Sequence, residues 1–311
     1  MKVIILGGTG MIGRRLARNL AAAGYETIVL SRSPKTRRVN FPSGVKLRKW
    51  DGVTTKGWGQ LVDGAEAIIN LAGENLAGEK FIPKRWTAKR KQYLVESRIL
   101  PGKAIFQAIQ AAASRPSVLI QSSAIGYYGT SLEQVFTEAS PPGHDFLARL
   151  CVDWEASTKD IEDLGIRRAI IRTASVLDPS GGALNRLIFP FRVFVGGRLG
   201  SGEQWFPWIH PGDEVRAIRF LLENTEARGP FNLCSPNPIR NAMFARIAGR
   251  ILRRPSVFPV PAFLLKAALG EVASVALEGQ RAIPKRLENL GFTFNYPDFE
   301  PALKDVLNEN A

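Results

Sequence analysis

Gly7, Gly10 and Gly13 stand three apart, directly behind the apolar run Val3 to Leu6 and directly ahead of Leu16, Ala17, Leu20 and Ala21. Those four recur at helical spacing until Gly24 stops the run. Strand, glycine turn and helix in that order let a backbone approach a pyrophosphate closely. The helix start then offers unpaired N–H groups and a partial positive charge to the anion. Glycines at this spacing carry little meaning alone; the flanking strand and helix give them a dinucleotide-binding reading. Thr9, Met11 and Ile12 complete the turn. About twenty residues on, a second apolar run, Glu26 to Leu30, ends in Ser31-Arg32. An acidic residue at that place bonds a ribose 2′-hydroxyl. A guanidinium instead grips a 2′-phosphate with paired hydrogen bonds. The expected cofactor is therefore NADP(H), with Lys35 close behind Arg32 as a further phosphate cation.

Groups suited to proton transfer come later in the chain. Ser122, Ser123, Tyr127 and Tyr128 follow the apolar run Ser117 to Gln121, at what would be the carboxyl edge of a sheet. Ser123 is a candidate to bond a substrate or a nicotinamide amide, and Tyr127 or Tyr128 to donate a proton. His210 closes the aromatic stretch Trp205-Phe-Pro-Trp-Ile-His, expected to roof the site, and imidazole titrates in a useful range. A structural hydrogen bond that pins this loop is the competing reading of His210. Cys151 reads as a small buried apolar group and Glu155 as a helix residue paired with an arginine. No His, Asp or Glu spacing points to a metal site.

These residues need a scaffold. Strands are expected over Val3–Leu6, Glu26–Leu30, Val45–Trp50, Ala67–Asn70, Ser117–Gln121 and Arg168–Arg172, with a late one over Phe231–Leu233. Helical stretches alternate with them, including Lys84 to Ala113, started anew or kinked at Pro101, with Tyr93, Val95 and Ile99 facing inward. Another runs from Phe146 to Leu164, capped by Asp145. This alternation predicts an α/β, Rossmann-like, doubly wound parallel sheet. Residues 1–180, joined by 211–235, form the nucleotide-binding domain; 181–311 form a small, mostly helical substrate-side or lid lobe. In that lobe a helix is expected over Ala183–Val195, a flexible glycine-rich loop over Gly196–Gly202, and an apolar helix near Ala262–Leu277.

The 311 residues carry 42 Lys and Arg against 28 Asp and Glu, a net charge of +14. Clusters at Lys35–Arg38, Lys84–Lys91 and Arg250–Arg254 lack the interleaved aromatics of a nucleic-acid motif. The total charge reads as a solvated surface, with a cofactor-phosphate role for the first cluster. No apolar stretch is long enough to span a membrane, and the N-terminus does not read as a signal peptide. Cys151 and Cys234, far apart, fit a reducing cytoplasm. No nucleic acid and no membrane span are expected, only a small-molecule substrate.

Gly7-Gly-Thr-Gly-Met-Ile-Gly13, Asn70-Leu-Ala-Gly73 and the Ser-Ser…Tyr-Gly strand end resemble the extended short-chain dehydrogenase/reductase superfamily. Asn70–Asn75, Trp86, Ser97-Arg98, Ser122–Gly129, Trp154-Glu155, Phe206–His210 and Leu277–Gln280 together are similar to its SulA-like epimerase branch, which has a distinctive C-terminal segment. The resemblance runs along nearly the whole chain. It implies bound NADP(H) with Ser31, Arg32, Leu71, Ala72 and Arg98 among the contacts, beside Gly73 and Ser122 in the matched motifs. It implies an oxidoreductase or epimerase; some members carry a cell-division-inhibitor label. The superfamily pairs a Ser or Thr with a Tyr and a Lys four residues after it, so that the ammonium lowers the phenol pKa. The helix expected to carry that pair, Phe146 to Glu155, contains neither residue. A non-catalytic NADP(H) sensor, its glycine-rich loop ordered by the cofactor, is the alternative.

Overall fold

The computed structural model describes residues 1–32, 40–78, 81–179 and 181–308. The Lys35–Arg38 cluster lies outside the described residues. Seven strands form one sheet: β1 (Lys2–Leu6), β2 (Glu26–Ser31), β3 (Val45–Lys49), β4 (Ala67–Asn70), β5 (Val118–Ala124), β6 (Arg167–Thr173) and β7 (Gly229–Leu233). All pairings are parallel, in the order 3-2-1-4-5-6-7. The order reverses between β1 and β4, and ligands of such sheets bind at the carboxyl ends of the strands there. This is the Rossmann-like α/β fold.

Alternate residues of β1 face opposite layers, as strand geometry requires. Val3 and Ile5 pack with Leu16 and Leu20 of α1 (Met11–Ala22), while Ile4 and Leu6 pack with Trp58 and Ile105. The second layer belongs to α2 (Ala88–Ala111) and α3 (Phe146–Ala156). α2 departs from expectation. It starts at Ala88, because the Thr87 hydroxyl accepts the Arg90 N–H at 3.2 Å as an N-cap. It then runs unbroken through Pro101 to Ala111. Pro101, Ala104, Ile105, Ala108 and Ile109 are buried, so packing offsets the hydrogen bond that proline removes. The inward face is Leu94 and Arg98, not Tyr93, Val95 and Ile99; Tyr93 is exposed.

Beyond β6 come α4 (Leu184–Arg192), α5 (Pro211–Glu223) and α6 (Asn241–Leu252). α5 returns to the α1 face of the main sheet and leads to β7, so 211–235 extends the Rossmann layers. α4, α6 and a C-terminal helix, Phe299–Asn308, enclose Trp208 in a separate apolar cluster. The segment 196–202 is pinned, against expectation. Gly200 N–H bonds Val260 O at 2.8 Å, Val260 N–H bonds Arg198 O at 2.9 Å, and Leu199 N–H bonds Asn241 Oδ1 at 2.8 Å. At Gly197 a Cβ would lie 2.0 Å from Phe258 O, so this glycine serves close packing. The helix expected near Ala262–Leu277 is broken at Gly270, where φ is +63°.

Candidate functional site: a cleft at the reversal of strand order

β1 ends in a turn that only glycine can make. Gly7 has φ +73°, and a Cβ there would lie 2.5 Å from Leu71 O. A Cβ at Gly13 would lie 2.5 Å from Gly8 Cα. Gly10 is the N-cap of α1 but supplies no side-chain acceptor, and the first turn has no acidic residue. The helix N-terminus therefore opens into the cleft with its N–H groups uncapped, a site that fits a pyrophosphate.

The cleft has a volume of about 1310 Å³. Its wall includes Gly7, Thr9, Gly10, Met11, Ile12, Gly13, Ser31, Arg32, Leu71, Ala72, Gly73, Arg98 and Ser122, all expected to hold the cofactor; Lys35, expected beside Arg32, lies outside the described residues. At the β2 end the Ser31 and Thr9 hydroxyls lie 3.4 Å apart. Arg32 donates to the Tyr93 hydroxyl at 2.9 Å and lies 3.6 Å from Glu74, with half of its side chain in solvent. Its guanidinium is held at the rim of the cleft. Asp51 also lines the wall, but its carboxylate is taken up by the Val53 and Thr54 amides at 2.8 Å each.

The opposite wall is cut from β4, β5 and α2. Asn70 donates to Gln121 at 2.9 Å and accepts the Ala72 amide at 3.2 Å, which fixes the Leu71–Gly73 backbone against the glycine turn. Arg98 is buried. It donates to the carbonyls of Leu94 and Glu74 at 3.0 Å each and lies 4.8 Å from the Trp154 ring. Burial pushes its pKa down to about 10, still charged near neutrality.

Model matches place the chain among known proteins. Residues 3–234 match the NAD dependent epimerase/dehydratase family, and residues 260–306 match a domain of unknown function, DUF1731. The chain belongs to the NAD dependent epimerase/dehydratase family. It is 40% identical to the "Epimerase family protein SDR39U1 homolog, chloroplastic" of Arabidopsis thaliana, over 99% of this chain and 87% of that one. It is 37% identical to the Bacillus subtilis "Epimerase family protein YfhF", over 99% and 98%. The crystal structure of human epimerase family protein SDR39U1 with NADPH superposes with a TM-score of 0.88 at 32% identity, covering 100% of both chains.

The proton-transfer candidates of this family member fare unequally. Ser123 lines the cleft, where its hydroxyl donates to Glu155 at 2.7 Å. Glu155 is held by Arg172 through two bonds, Nε at 2.8 Å and Nη2 at 2.9 Å, as the expected pairing with an arginine requires. Burial works against the Arg172 charge, but this pair outweighs it and raises the pKa. Arg172 donates to Tyr128 at 3.0 Å, and the Tyr128 hydroxyl donates to Asn232 at 2.7 Å. Burial raises the Tyr128 pKa, so its phenol gives up a proton less readily. Tyr127 is not on the cleft wall; Arg172 sits 3.5 Å from its ring centroid. His210 is a correction. It neither roofs nor lines the cleft. Its Nδ1 accepts the Gly212 amide at 3.1 Å as the N-cap of α5, and its Nε2 meets Asp305 at 3.0 Å. Trp208, expected in the same roof, is fully buried in the apolar cluster beneath α4, α6 and the helix Phe299–Asn308.

On α3 the side nearest Ser123 carries Leu147 and Cys151 at the four-residue spacing. Leu147 packs against Gly126, and Cys151 is buried beside Ser123 with its thiol pushed up to about 11 by burial. The residues missed in the sequence are Glu74, which serves Arg32 and Arg90 at once, and Thr173, which lines the cleft from the end of β6. Their only signal was position at a strand's carboxyl end. Among the described residues no group of three His, Cys, Asp or Glu could hold a metal ion, and no helix is long and apolar enough to cross a membrane.

Proposed function

We propose that the protein binds NADP(H) in this cleft and serves as an oxidoreductase or epimerase acting on a small molecule. The observation that carries the reading is the convergence of the uncapped α1 start, Ser31-Arg32 and Leu71–Gly73 on one cleft. The human relative described with NADPH supports it. Gly7 to Gly13 would hold the pyrophosphate and Arg32 the 2′-phosphate. Ser122, Ser123 and Thr173 would face the nicotinamide half. A bound nicotinamide supplies hydride chemistry. Ser123, held by Glu155, would orient a substrate oxygen, and Trp154 would shield it from water. The short-chain dehydrogenase and SulA-like assignments belong to this reading and rest on the quoted motifs. So does a cytoplasmic location, in keeping with two free, buried cysteines.

Arg32→Asp is expected to weaken NADPH about tenfold or more, the worth of a charge-assisted hydrogen bond, and to leave NADH within about twofold. Calorimetric titration with both cofactors measures this, and equal losses for the two would remove Arg32 from the reading. The second reading, a sensor without turnover, has one observation behind it: Leu147 and Cys151 where proton-transfer groups are expected. The hydrogen bonds that pin the 196–202 segment speak against the loop ordering that reading invokes. Turnover of any sugar, quinone or aldehyde in a purified panel decides for the enzyme.

A further inference from the structure

Glu214, on α5, is completely buried. One carboxyl oxygen accepts the Thr173 hydroxyl at 2.9 Å; the other, Oε2, has no hydrogen-bond partner among the described residues. An orphaned carboxyl oxygen in a dry interior costs folding free energy, so its persistence calls for an explanation. Thr173 gives one. It closes β6 at the carboxyl edge of the sheet, opposite Ala124 of β5, and it lines the cleft. Glu214 is thus one hydroxyl away from the end of the cleft where Ser122 and Ser123 lie.

Among the described residues no charge is positioned to satisfy it. On α5, Asp213 bonds Arg216 and the Asn295 and Tyr296 amides, and Arg219 pairs with Glu223. His210 is engaged by Asp305. On α1, Arg14 lines the cleft, Arg15 is held by Asp178 and Arg18 by the Asn40 carbonyl. β5 carries no ionisable side chain. On β6, Arg167 holds carbonyls at the far end of α5, Arg168 holds Glu162 and Arg172 holds Glu155. Past β7 the Cys234 thiol, raised by burial, feels the Glu214 charge. Burial therefore dominates, and it pushes the Glu214 pKa up to about 8, with the Thr173 bond opposing.

We propose that Thr173 and Glu214 form a proton site linked to the redox state of a nicotinamide at this end of the cleft, Glu214 being neutral beside the reduced ring and ionised beside the oxidised, cationic one. The inference rests on the reading of the cleft as an NADP(H) site. The balance is simple: binding the oxidised cofactor releases one proton from Glu214 to solvent, and binding the reduced one releases none. A carboxyl that regains its proton as the cofactor is reduced fills the place in the proton balance that α3 leaves open. Thr173 is the cleft group that hands the proton on, and Glu214 is the positioning residue behind it.

The test measures Kd for NADP⁺ and NADPH on the full-length protein between about pH 6 and about pH 9. Taking the ratio cancels the titration of the phosphates, which both forms carry. The ratio Kd(NADP⁺)/Kd(NADPH) is expected to fall by up to about tenfold per pH unit and to level off near the Glu214 value. Glu214→Gln, which keeps the neutral shape, makes it flat. Thr173→Val, which removes the bond that favours the charged form, moves the levelling point to higher pH. A flat ratio in the unmodified protein, or a slope that survives in Glu214→Gln, overturns the inference. If Glu214→Gln does not fold, an unmoved levelling point in Thr173→Val overturns it instead. Binding of neither cofactor at any pH removes the NADP(H) reading itself, a distinct failure.

Discussion

One wall of the cleft works through backbone, the other through side chains with buried charges behind them. At Gly7, Gly10 and Gly13 what counts is what is missing: no Cβ, no cap, no carboxylate. At Ser123 and Thr173 a hydroxyl faces the cleft, and each leans on a glutamate, Glu155 or Glu214. The two glutamates differ in turn. Glu155 has a bidentate arginine; Glu214 has only Thr173 and is pushed toward neutrality. A wall of absences is rigid and specific for phosphate. A wall of supported hydroxyls can be tuned, because each supporting charge is set by its own surroundings.

The largest test of this contrast is Gly13→Val. With a Cβ 2.5 Å from Gly8 Cα and 2.6 Å from Gly7 O, the turn cannot close around a side chain. Cofactor affinity is expected to drop by roughly 100-fold, the scale of an overpacked contact of 1–3 kcal/mol. Titration calorimetry reads the loss. Near-normal binding would mean that the backbone wall is not what holds the cofactor.

Glu155→Gln probes the other wall and should give the opposite profile. It strands Arg172, whose side chain is 4% exposed. Removing one partner of a buried pair costs roughly 3–5 kcal/mol. A chemical denaturation curve should show that loss, while NADPH affinity stays within about threefold, since Glu155 meets the cleft only through Ser123. If affinity collapses with stability unchanged, the two walls are not separable.

This division also governs what the sequence discloses. β4 falls on the expected residues Ala67–Asn70, and the glycine turn lies where spacing put it, because both depend on neighbours in the chain. Apart from Arg98, the described residues expected to contact the cofactor line the cleft for the same reason: they sit past the end of a strand or at a helix start. Arg98 reaches it through α2, and its motif marked it. The second wall is assembled from afar. Glu155 lies 32 residues from Ser123, and Glu214 lies 41 from Thr173. Of the two readings of His210 the structure supports the hydrogen bond that pins the loop, but its partner, Asp305, is 95 residues away, and no local pattern names that carboxylate. At Pro101 local rules allow either a new helix or a kink, and burial keeps one continuous helix there.

The smallest effect is the response of Glu214 to pH. A carboxyl whose pKa is raised on folding, from 4.5 to about 8 at Glu214, binds its proton more tightly in the native state. Its contribution is therefore fully present below about pH 4.5 and is lost as pH climbs through 8, since ionisation favours the unfolded chain across that window. Glu214→Leu removes the titrating group and fills the same apolar space. At pH 6 the loss of the Thr173 bond and the gain in apolar packing nearly cancel. Above pH 8 the variant should be the more stable of the two, with Tm higher by about 2–4 °C for each 1 kcal/mol relieved. Differential scanning calorimetry across that range gives the answer. A variant that loses stability equally at all pH values would mean that Glu214 is charged and satisfied. Its orphaned oxygen would then have a partner in solution, and it would differ from Glu155 only in the identity of that partner.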